Sequence, residues 1–101
     1  MSDKQKPPYR AYLLAFDQEI DRESMSNAIS RSKAFSAWVV YGDNAAVLSS
    51  RKTAFDLSAA LRKLLPGKWF VLTEVVKDNC DGLAPTTIWA LVDNPDEPWT
   101  G

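Results

Sequence analysis

The stretch AFSAWVVYGDNAAVLSS, residues 34–50, constrains the fold of this chain more than any other. Residues 35–41 are rich in aromatic and β-branched side chains, which fit a pleated surface. Gly42-Asp43-Asn44 then offers residues that tolerate the positive φ a hairpin turn demands. Two antiparallel strands are predicted, and a two-stranded hairpin is only marginally stable without further strands or a helix to pack on. The rest of the chain must supply those partners.

The flanking segments do so in a regular order. In residues 10–16, Tyr12, Leu14 and Phe16 point to one side while Ala11, Leu13 and Ala15 point to the other, which predicts a strand apolar on both faces and central in its sheet. Residues 21–32 carry Met25, Ala28 and Ile29 at helical spacing, with acids near the start and Arg31 near the end, as the helix dipole favours. After the hairpin, Ala54, Leu57, Leu61, Leu64 and Leu65 share a helical face between a capping Thr53 and the stop Pro66-Gly67. Residues 69–76 alternate as a strand, with Glu74 interrupting one face. KDNCDGLAP, 77–85, reads as a loop, and TTIWALV, 86–92, as an edge strand, with a helical turn as the alternative.

Strand, helix, strand, strand, helix, strand predicts an α+β domain of the ferredoxin-like split βαβ type (βαββαβ): one antiparallel sheet, two helices on one face and a short extra C-terminal element. Residues 1–8, ending in Pro7-Pro8, are expected to form a flexible lead-in, 9–92 the single domain and 93–101 an acidic tail. So short a chain is expected to have no third layer for the second sheet face, which predicts a homodimer through that face or through the last strand.

Several chemistries are excluded by composition. The chain has no histidine, which rules out Ser-His-Asp and Cys-His machinery and leaves a zinc site with one thiolate. Its four glycines are too scattered to cradle a nucleotide's phosphates. Ser30-x-x-Lys33 and Ser49-x-x-Lys52 both match the bare Ser-x-x-Lys pattern, and two matches in so short a chain mark it as a chance pattern. The longest apolar runs fall far below the roughly 20 residues of a membrane helix. The N-terminus lacks the apolar segment of a secretory signal and Cys80 has no partner for an internal disulfide, so a cytoplasmic location without membrane contact is expected.

Net charge is −1, but the charges are unevenly distributed. Between residues 22 and 68 eight basic residues face three acidic ones, whereas from residue 74 onward six acids face one base. Solvated helix faces account for such a basic middle; so does a surface for RNA or DNA, with Arg51, Lys52, Arg62, Lys63 and Lys68 as its candidate contacts. The near-neutral total also suits a non-catalytic protein–protein interaction module, an accessory or inhibitor protein that docks onto a protein partner.

LLAFD, residues 13–17, and SAWVV, residues 36–40, give the chain a resemblance to the superfamily of small CRISPR-associated integration subunits, virulence-associated protein D toxins and SinR-like proteins. In that superfamily the first strand ends on an aspartate, matched by Asp17, and the second begins with a serine before an aromatic or aliphatic pair, matched by Ser36, Trp38 and Val39. TTIWALV also looks like the SinR-like members. The resemblance implies a homodimer whose two first-strand aspartates face each other and share a divalent cation, Mg2+ or Mn2+. Some members are metal-dependent nucleases and others architectural nucleic-acid-binding subunits. Asp17 is then the candidate catalytic and metal-binding residue, with Glu19, Asp21 and Glu23 as further oxygen ligands. As a turn or cap residue Asp17 needs no metal, and acids at a helix start also compensate its dipole.

Overall fold

The computed structural model describes residues 8–76, 79, 81–83 and 86–93. The expected lead-in and acidic tail lie outside these residues except for Pro8 and Asp93. The elements run β1 (Arg10–Phe16), α1 (Arg22–Ser32), β2 (Ala37–Tyr41), β3 (Ala45–Ser50), α2 (Ala54–Leu64), β4 (Phe70–Val75) and α3 (Thr86–Asp93). The fold is α+β, with one four-stranded sheet in the order β2-β3-β1-β4 and every neighbouring pair antiparallel. This order is compatible with a ferredoxin-like fold. β1 lies inside the sheet, as its two apolar faces predicted.

One face of the sheet carries the main core. Tyr12, Leu14 and Phe16 of β1, with Ala46 and Leu48 of β3, pack against Met25, Ala28 and Ile29 of α1 and Leu57 and Leu61 of α2. Both helices begin as their sequences dictate. Asp21 caps α1 by accepting from the Ser24 amide at 2.7 Å, and Thr53 caps α2 by accepting from the Asp56 amide at 3.2 Å. Gly42, at φ 55°, makes the three-residue turn between β2 and β3, and Gly67, at φ 77°, follows the end of α2. α1 ends less conventionally, on Lys33 at φ 58°, a left-handed conformation that ordinarily favours glycine.

Two expectations are corrected at the C-terminal element. Residues 86–93 form a helix, not an edge strand, and this helix supplies a partial third layer over the second sheet face. Leu91 and Val92 are buried there with Ala11, Ala37 and Val47. The small side chains of Ala37, Ser49 and Ala11 lie side by side across β2, β3 and β1, forming a shallow floor that a helix can approach closely. A short apolar run such as TTIWALV has no periodicity that separates a buried strand from a buried helix. α3 covers only the end of the face near the start of β1. Beyond it Leu13 (42% exposed), Val71 (60%) and Trp69 (52%) face outward. Among the described residues no helix is long and apolar enough to cross a membrane.

Candidate anion-binding cleft

Antiparallel pairing brings distant basic residues together at one end of the sheet. β1 starts where β3 stops, with Arg10 opposite Ser50, and β2 starts beside them, with Ala37 opposite Ser49. At this end α1 also terminates, at Lys33, and α2 begins, at Thr53. Between these termini lies a cleft of about 490 Å³. Arg10, Lys33, Arg51 and Lys52 line it, together with the hydroxyl-bearing Ser36, Ser50 and Thr53. Among the described residues Asp56 is the one acid in its lining, and it sits in the first turn of α2, where it offsets the helix dipole.

The floor of the cleft is tied down by buried hydroxyls. The Ser50 hydroxyl donates to the Ala34 carbonyl at 2.6 Å and accepts the Lys52 amide at 3.1 Å. The Tyr12 hydroxyl, from the main core, donates to the Lys52 carbonyl at 2.6 Å. Both polar backbone groups of Lys52 are thus held by side chains of the sheet, so the stretch that carries Arg51 and Lys52 into α2 has a defined path. On the α1 side the Ser32 hydroxyl donates to the Ile29 carbonyl at 2.8 Å and accepts the Ala34 amide at 3.2 Å, bracing the turn that presents Lys33. The Arg51 guanidinium lies over the Tyr9 ring, 4.4 Å from its centroid. Its Nε is buried without a hydrogen-bond partner among the described residues.

Of the five basic residues singled out from the sequence, the structure brings Arg51 and Lys52 into the cleft. Arg62 and Lys63 are exposed in the last turn of α2, roughly 13 Å further along the helix axis. Lys68 lies at the far end of the sheet, where its Nζ donates to Glu19 Oε1 at 2.9 Å. That hydrogen bond, reinforced by attraction to Glu19 and Asp17, raises the Lys68 ammonium above its ordinary range. Arg10 and Lys33 complete the cleft although neither was among the five candidates. The available signal was topological: in an antiparallel β1–β3 pair, the first residue of one strand meets the last of the other.

Asp17 occupies the end of the sheet opposite the cleft and organises a turn. Its carboxylate accepts the Glu19 amide at 3.0 Å, its carbonyl accepts the Ile20 amide at 2.9 Å, and its amide donates to the Trp69 carbonyl at 3.0 Å. The acids around it have partners or duties of their own: Glu19 pairs with Lys68, Asp21 caps α1 and Glu23 lies in the first turn of α1. Hydrogen bonds from the Ser24 amide and hydroxyl, followed by one from the Glu23 amide, hold the Asp21 carboxyl below its usual value. Among the described residues no three potential metal ligands form a group that could hold a cation.

No family model, curated protein or solved structure matches the chain.

Proposed function

We propose that this protein binds nucleic acid through the basic cleft, with Arg10, Lys33, Arg51 and Lys52 neutralising phosphates beside the N-terminus of α2. One observation carries the proposal: four cations from separate parts of the chain converge on a cleft that, among the described residues, is lined by a single acid. Backbone phosphates supply the dominant and salt-dependent share of such binding, and basic side chains next to exposed helix amides are the groups that hold them. Of the roles implied by the resemblance, the architectural one rests on phosphate contacts, which are what the cationic lining of this cleft supplies. The strand order and the two crossing helices support the ferredoxin-like split βαβ reading of the fold.

The test is fluorescence anisotropy of labelled RNA and DNA oligonucleotides, titrated at several salt concentrations. The double variant Arg51→Ala/Lys52→Ala is expected to bind more weakly and to flatten the salt dependence by about one unit for each phosphate that is no longer neutralised. Equal affinity and slope in the variant and the wild type would remove the cleft from the interface.

A second reading, self-association, rests on a different observation. Leu13, Val71 and Trp69 form an exposed apolar patch on the sheet face beyond α3, and this patch runs to the outer edge of β4, the last strand of the sheet. A second copy is the occupant we assign to it, because a twofold axis beside an edge strand brings the same residues of both copies together.

A further inference from the structure

The cleft has an aromatic neighbour that its charges do not explain. Phe55 is 84% exposed in the first turn of α2, between Thr53 and Asp56, which line the cleft wall. On the helical wheel it lies away from Leu57 and Leu61, so the ring contributes nothing to the core beneath α2. Within the cleft, the Arg51 guanidinium lies over the Tyr9 ring. The helix turn that supplies Thr53 and Asp56 to a phosphate-attracting cleft therefore also carries an open aromatic ring, and the cleft itself holds a guanidinium that lies over a second ring.

Resting on the nucleic-acid reading above, we infer that the cleft selects single-stranded nucleic acid, with Phe55 as the platform for an unpaired base. A duplex keeps its bases stacked on one another and offers only its phosphate surface, which a concave site of about 490 Å³ can touch at its rim. A single strand can place a phosphate among Arg10, Lys33, Arg51 and Lys52 while the adjoining base turns onto Phe55. Stacking of this kind tolerates any base because every base has a π-face. The site would read strandedness rather than sequence.

The experiment measures anisotropy with labelled oligo-dT, oligo-rU and a duplex DNA of equal length, for the wild type, Phe55→Ala, Phe55→Trp and Arg51→Ala/Lys52→Ala. Single strands should bind more tightly than the duplex, and the dT and rU arms show whether DNA or RNA is preferred. Phe55→Ala should lose roughly tenfold in single-strand affinity at an unchanged salt slope, and Phe55→Trp should keep that affinity. Because Phe55 is exposed, neither change disturbs the core. Duplex binding as tight as single-strand binding, or single-strand affinity untouched by Phe55→Ala, overturns the inference; if Arg51→Ala/Lys52→Ala still weakens binding, the nucleic-acid reading survives. Absence of binding to all three oligonucleotides by the wild type overturns both.

Discussion

Asp17 shows how one residue type serves two readings. At the end of a strand an aspartate can supply a carboxylate for a cation, or close a turn by accepting an amide two residues ahead, and the second geometry is the one formed here. Asparagine reproduces that hydrogen bond without the charge. Asp17→Asn is accordingly expected to change stability by at most about 1 kcal/mol, and millimolar magnesium or manganese should shift the melting temperature of the two proteins equally. A cation-dependent rise in the wild type that the variant lacks would restore the paired-aspartate site, since ligand bound to the folded state adds stability by mass action.

At the scale of the element, a cap and a packing face can be tested separately. The Asp21 carboxyl titrates below its ordinary value of 3.8 because the α1 amides stabilise the anion. That contribution is present above the ordinary value and is lost as pH falls through the lower, folded one. Asparagine caps a helix almost as well and does not titrate, so melting curves should show Asp21→Asn less sensitive than the wild type to acidification over this window. A larger acid sensitivity in the variant would contradict the role of Asp21 as a charged cap. α3 is tested through Leu91, which is fully buried against Ala11, Ala37 and Val47. Leu91→Ala should destabilise by about 2–5 kcal/mol in urea unfolding. A value near zero would mean that α3 does not pack on the sheet.

Across the whole molecule the two ends of the sheet differ in chemistry. The cleft end gathers cations around the start of α2. Toward the opposite end lie the Asp17 turn, the Lys68–Glu19 pair and the apolar patch of Leu13, Val71 and Trp69. Because the cleft and the patch are separate, self-association and the proposed nucleic-acid binding should be separable by substitution. Sedimentation at micromolar concentration is expected to show a dimer, and Val71→Lys, which places charge in the patch next to Leu13, should yield monomers that still bind oligonucleotide. A wild type that sediments as a monomer would leave the patch without a second copy and remove the shared-aspartate arrangement with it.

Local interactions made much of this protein legible before its structure. The hairpin turn at Gly42, the caps Asp21 and Thr53, the Met25-Ala28-Ile29 and Leu57-Leu61 faces and the two-sided apolar strand 10–16 are specified within a few residues, so their periodicity and turn chemistry sufficed. Arg51 and Lys52 were visible as candidates because their charge is a property of the residue alone. Tertiary structure decided the rest. Residues 86–93 pack as a helix on Ala11, Ala37 and Val47, a surface that three separate strands assemble. The cleft depends on the register that sets Arg10 opposite Ser50 and on the turn that presents Lys33, while Arg62, Lys63 and Lys68 are directed elsewhere by the length of α2 and by Glu19. Proximity between residues 40 positions apart is a product of strand pairing, and it exists only once the sheet has formed.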